Sequence, residues 1–162
     1  MRIHLAADYG GYELGRSLEV RLAADGYETV WHGADEYDEG DDYPLFAVAL
    51  GQAVVADQDA GVDACGILSV GNVIGGTVAV TKVNGVRAVP AVDDDLVSNA
   101  RATVDVNVIV LPGRRLSEEV AAASVAVFLA TDFDRELDDA RRIVNVSEYE
   151  SSGTIEGWMI ER

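Results

Sequence analysis

The stretch Gly71-Asn72-Val73-Ile74-Gly75-Gly76 follows an apolar run and opens a helical pattern. Backbone N–H groups in such a loop could cradle an anion or an enediolate oxygen, supported by the helix dipole. The same glycines also suit a tight turn with close packing. It is not the dinucleotide fingerprint, because Gly-x-x-x-Gly-Gly lacks the Gly-x-Gly start. It is not a Walker loop, because no Lys-Ser/Thr pair follows.

Other residue types invite the same question. Asp8 ends an apolar run, where a carboxylate could hold a sugar hydroxyl, transfer a proton or cap the next helix. His32 closes a second run and is a site candidate. His4, inside a run, reads as a hydrogen-bonded histidine of the fold. Asp93-Asp94-Asp95 has the composition of a metal cluster, but at a helix start such carboxylates serve the dipole; no metal is expected. Arg114, Arg115, Arg141 and Arg142 stand out because positive charge is scarce. Their guanidinium forks fit phosphate or carboxylate, and the rival role is local charge balance.

These groups need elements to position them. Residues 2–7 read as a strand entering the turn Asp8-Tyr9-Gly10-Gly11. A helix over about 11–24 follows, with Leu14, Leu18 and Leu22 on one face. Tyr27–His32 is a strand, and Gly33–Tyr43 an acidic, solvated loop. Pro44 opens a second helix with Phe46, Leu50 and Val54 as its core stripe. Further strands are expected at 65–70, 86–91 and Asn107–Leu111, with helices reaching Val83, starting near Asp93, and capped by Ser117 ahead of Glu118 and Glu119. Residues 132–150 read as a charged helix. Strands separated by helices imply a five-stranded, doubly wound parallel α/β sheet with helices on both faces. Ligands in such sheets bind outside the carboxyl ends of the strands. That rule selects Asp8-Tyr9, His32, Val70–Gly76 and Val92–Asp95.

The chain has 162 residues, 49% of them hydrophobic, enough for one domain over 1–150. Residues 151–162 carry Gly157-Trp158-Met159-Ile160, an apolar tail expected to pack on the same or a neighbouring subunit. Acidic residues number 29 against 12 basic ones, a net charge of −17. Nucleic acid and anionic membrane surfaces would be repelled. Lys82 is the sole lysine beside eleven arginines, and this balance suggests a high-salt cytoplasm. Cys65 alone cannot form an internal disulfide. Residues 64–81 carry no charge, but their glycines and Asn72 break them into strand, loop and helix start rather than a membrane span. No signal peptide is read, so a cytoplasmic protein is expected.

The order of these pieces resembles the ribose-5-phosphate isomerase B / galactose-6-phosphate isomerase family over residues 1–148. The family's Ser-Asp-His-Ala-Gly-Phe appears as Ala7-Asp8-Tyr9-Gly10-Gly11-Tyr12, and its Asp-Tyr-Pro as Asp42-Tyr43-Pro44. Its Gly-Ile-Leu-Ile-Cys-Gly-Thr-Gly-Ile-Gly becomes Gly66 to Gly75, followed by Val80-Thr81-Lys82 and Gly85-Val86-Arg87-Ala88. The strand ending in Gly-x-Arg is Asn107 to Arg114. The resemblance implies aldose–ketose isomerisation of sugar phosphates through an enediolate, with no metal and no cofactor. It also implies a homodimer or homotetramer with sites at the subunit interface.

On this resemblance the family's proton-abstracting Cys falls on Val70, and the Glu that other members use falls on Gly76. The ring-opening His falls on Thr103, with Arg101 kept, and the His beside the first Asp is Tyr9. In the C-terminal Arg-His-Gln-Arg-Arg stretch, Asp138 replaces one phosphate-binding Arg and Arg142 remains. The retained substrate-binding frame is Asp8, Tyr43, Gly71, Asn72, Gly75, Arg114 and Arg142, with His32 beside it. Asp8, Tyr9, His32, Asp93 or a partner chain is left to replace the missing base and acid. Two other readings stay open. The chain is a non-catalytic or incomplete subunit that binds a sugar phosphate or completes a related chain's site, or it takes a neutral or carboxylated sugar.

Overall fold

A computed structural model describes residues 1–155. The elements are β1 (Arg2–Ala7), α1 (Tyr12–Ala24), β2 (Glu28–Trp31), α2 (Tyr43–Asp59), β3 (Ala64–Val70), α3 (Val73–Val80), β4 (Ala88–Pro90), α4 (Asp94–Val104), β5 (Val108–Pro112), α5 (Glu118–Ala130) and α6 (Leu137–Ser152). The five strands pair in parallel in the order β2-β1-β3-β5-β4. This is the expected doubly wound α/β sheet.

Strand residues alternate between two apolar layers. Ile3, Leu5, Ile67, Ile109 and Leu111 pack with Leu14, Leu18 and Leu22 of α1 and Phe128 of α5. Ala6, Leu68, Val70, Val108 and Val110 pack with Phe46, Leu50 and Val54 of α2 and Val80 of α3. Burial on both faces explains why β3 and β5 read as nearly unbroken apolar runs. The chain leaves β1 toward the α1 layer and leaves β3 toward the α3 layer. Between these neighbouring strands a crevice opens at their carboxyl ends.

Several boundaries differ from the sequence reading. α2 starts at Tyr43, because the Asp42 carboxylate caps it by accepting the Tyr43 amide at 2.9 Å. α3 ends at Val80, and the chain turns before Val83. β5 starts at Val108, one residue after Asn107, whose side chain accepts the Arg87 amide at 2.8 Å and donates to Gln58 at 2.9 Å. The C-terminal helix begins at Leu137, not 132. There Arg135 takes a left-handed φ of 59° and the Asp134 amide turns away to the Ala102 carbonyl. The helix runs past 150 to Ser152. The expected packing of Trp158 lies outside the described residues. Among those residues no helix is long and apolar enough to cross a membrane.

Candidate active site

Asp8, directly after β1, is the hub of the crevice. Its Oδ1 accepts the amides of Gly10 at 2.8 Å, Gly11 at 3.0 Å and Gly71 at 2.9 Å. The residue is only 2% exposed. Burial raises its pKa above the ordinary 3.8, with the Gly71, Gly10 and Gly11 amides opposing and Asp42 adding to the rise. Asp8 therefore clasps the loop after β1 to the loop after β3. The loops meet backbone to backbone: a methyl group on Gly10 would lie 2.6 Å from the Gly71 Cα. Only glycine permits that approach.

The clasp aims the start of α3. Asn72 caps the helix, its Oδ1 accepting the Gly75 amide at 3.1 Å. The amides of Asn72, Val73 and Ile74 have no partner among the described residues. They leave three N–H groups open at the start of the helix, the arrangement at which anions bind in helix N-termini generally. Tyr43 covers this loop so closely that a methyl on Gly75 would meet its ring and hydroxyl at 2.6 Å.

Arg114 follows β5 at the same edge. Its guanidinium stacks 4.6 Å above the Tyr9 ring. Arg2, Arg16, Arg87, Arg101, Arg141 and Arg142 are all ion-paired. Arg114 has no ion pair among the described residues and is exposed. It borders a pocket with Tyr9, Gly10, Tyr12, Glu13 and Tyr37. Tyr12 and Tyr37 escaped the sequence reading. Tyr12 stands edge-on to Trp31 and Tyr37, and its hydroxyl donates to the Asp35 carbonyl at 2.8 Å. Aromatic contacts thus bring the acidic loop, read as merely solvated, to the pocket wall.

Other candidates are placed elsewhere. Asp93 caps α4, its Oδ1 accepting the Leu96 amide at 2.7 Å, and Asp94 accepts from Ser124 at 2.6 Å. The triple Asp is helix-start chemistry. No three His, Cys, Asp or Glu side chains among the described residues stand together as a metal set. His32 turns to His4 rather than to the crevice. Cys65 is a buried thiol, pushed up to about 12 by desolvation.

Arg142 is also apart from Arg114. It pairs with Asp139 and borders a largely apolar groove with Thr81, Arg87, Thr103, Ile143 and Val146. α4 runs antiparallel to the strands, so Thr103 at its end sits at the amino edge of the sheet. One chain therefore separates the Arg142 groove from the Arg114 crevice.

The model of the ribose/galactose isomerases matches residues 3–146. The chain belongs to the ribose/galactose isomerase family. By that membership it is an isomerase. A ribose-5-phosphate isomerase B of Mycobacterium tuberculosis is 34% identical over 150 residues, covering 93% of this chain and 90% of that one. The fold matches the crystal structure of a Thermotoga maritima ribose 5-phosphate isomerase with a TM-score of 0.82 and 31% identity, covering 91% and 97% of the two chains. A Mycoplasma genitalium ribose-5-phosphate isomerase B, solved with bound ribulose-5-phosphate, matches with a TM-score of 0.86 and 29% identity over 93% and 97%.

In this member of the family, Val70 and Gly76 form one apolar contact. Val70 is fully buried, and a methyl on Gly76 would lie 2.7 Å from its Cγ2. These are the two positions on which the family resemblance puts the Cys and the Glu. Neither holds a group that exchanges a proton.

Proposed function

We propose that this ribose/galactose isomerase interconverts an aldose phosphate and its ketose phosphate through an enediolate, with ribose 5-phosphate and ribulose 5-phosphate as the first pair to test. The observation that carries this reading is the three-amide clasp of Asp8 on Gly10, Gly11 and Gly71. It holds the open amides of Asn72, Val73 and Ile74 and the unpaired Arg114 at one crevice. The phosphate goes to Arg114 above Tyr9, the enediolate oxygen to the α3 amides, and the proton leaving the carbon to a base that a second copy of the chain brings to the crevice. Asp8 acts by positioning, since three amides already occupy one of its oxygens and burial closes access. The Tyr43 hydroxyl, over Gly75, orients the reacting end.

The Arg142 and Thr103 groove is assigned to the same site through a second copy of the chain. A homodimer brings the amino-edge groove of one copy to the carboxyl-edge crevice of the other. The acidic surface suits a cytoplasm rich in salt. Turnover of ribose 5-phosphate in molar KCl, read by 13C NMR, tests the reading. Formation of ribulose 5-phosphate supports it.

A second reading is a sugar-phosphate-binding subunit that lacks turnover by itself. The Val70–Gly76 contact favours it, because general base catalysis is worth about 10²–10⁴-fold and both usual positions are apolar. Tight binding of ribose 5-phosphate with no ketose formed, and turnover only with a related chain, would select that reading.

A further inference from the structure

The chain has two histidines, and they stand against each other. His4 Nδ1 lies 2.8 Å from His32 Nε2, and His4 Nε2 lies 2.9 Å from Asp57 Oδ2. Arg2 Nη1 donates to the same Asp57 oxygen at 2.7 Å, and Arg2 Nε donates to Glu28 at 2.9 Å. Three elements contribute charged or titratable groups here: Arg2 and His4 from β1, Glu28 and the following His32 from β2, and Asp57 from α2; β3 sets only Gly66 beside His4. His4 is buried and His32 half-buried.

The proton positions follow from the partners. The Asp57 carboxylate, paired with Arg2, can only accept. His4 therefore carries a proton on Nε2. With both rings neutral, His4 Nδ1 must accept and His32 Nε2–H must donate. One added proton is compatible with this chain, because His32 protonated at Nδ1 still donates from Nε2. A second is not. It would set an N–H on both facing nitrogens and two cationic rings 5.0 Å apart.

We infer that His4 and His32 form a one-proton latch that fastens β2 and the acidic loop behind it to the sheet, and that opens when a second proton enters. β2 is an edge strand, bonded to β1 alone, and its four residues are exposed or half-buried. The loop behind it carries Tyr37, a wall of the Arg114 pocket. Burial and the nearby His4 lower the His32 pKa below the ordinary 6.5, against the pull of Asp57. Protons enter the pair as the pH falls, and the second is the one that the hydrogen-bond chain cannot hold. Opening is thus an acid response.

The test uses the full chain with Trp158→Phe, so that Trp31, next to His32, reports alone. Imidazole NMR and Trp31 fluorescence are followed together from about pH 8 to about pH 4. The expected result is one proton taken up by the histidine pair with no Trp31 change, then a second proton with a coincident Trp31 shift. His32→Gln keeps an Nε2 donor at neutral pH and can turn its Oε1 acceptor to His4 in acid; its Trp31 transition should vanish while the fold at neutral pH persists. Two independent protonations with a constant Trp31 signal would overturn the latch. So would an unaltered transition in His32→Gln.

Discussion

Asp8 and Gly71 are 63 positions apart, and the 2.9 Å bond from the Gly71 amide to the Asp8 carboxylate closes the crevice between β1 and β3. Asp8→Ala takes the side-chain acceptor from the Gly10 and Gly71 amides, while the Gly11 amide keeps the backbone carbonyl of residue 8 at 3.1 Å. Each such group costs about 1–3 kcal/mol, so a loss of roughly 3 kcal/mol is expected in urea unfolding. Asp8→Asn keeps an acceptor oxygen and should cost less. The raised Asp8 pKa gives the sign with pH. Its contribution is complete below the ordinary 3.8 and is lost as the pH rises through the folded value. Asp8→Asn should remove that decline, measured as unfolding free energy against pH.

Arg114 carries the anion reading. Arg114→Ala should raise the KM for a sugar phosphate by about tenfold or more, in line with a lost charge-assisted fork, and leave stability nearly unchanged. Tyr9→Phe keeps the ring beneath the guanidinium and should have a small effect. Equal KM values for wild type and Arg114→Ala would move the phosphate elsewhere.

Val70 and Gly76 compete for one volume. Val70→Cys places a smaller side chain in the same space and should raise isomerisation by about 10- to 100-fold, within the usual worth of a general base. Gly76→Glu alone forces its Cβ against the Val70 methyl and should destabilise by about 1–3 kcal/mol. Gly76→Glu with Val70→Gly should recover that loss. Steady-state kinetics and thermal melts of the three variants check the pattern.

The Tyr43–Gly75 contact predicts coupling. Gly75→Ala drives a methyl into the Tyr43 ring and should lower kcat/KM. In a Tyr43→Ala background the same change should be nearly silent. A double-mutant cycle on kcat/KM measures the interaction, expected at about 1 kcal/mol or more.

The net charge of −17 implies self-repulsion that salt relieves. Tm should rise as KCl goes from about 0.1 M to about 2 M, read by scanning calorimetry. A flat Tm would remove the high-salt reading.

The fold was legible because it is written locally. Leu14, Leu18 and Leu22 mark a helix face, β3 and β5 are apolar runs, and Ser117 announces its cap. The Asp8 loop and the Gly71 loop were legible as parts, since a carboxylate and glycines at strand ends are read by position. Their bond is not local and needs the strand order. The same limit hid the His4–His32 pair, which exists only because β1 and β2 are neighbours in register. Arg142 looked like a companion of Arg114 because sequence does not show that α4 returns the chain to the opposite edge. Residues 132–136 looked helical because nothing in their charges announces the left-handed Arg135.

Proton exchange tests the central claim most directly. The purified chain is incubated with ribulose 5-phosphate in D₂O and molar KCl, and 1H NMR follows the hydrogens on the carbon beside the carbonyl. Enediolate chemistry at the α3 amides predicts enzyme-dependent deuterium incorporation at that carbon, weakened in Arg114→Ala. Saturable binding of ribulose 5-phosphate with no deuterium incorporated would contradict catalysis by this chain alone.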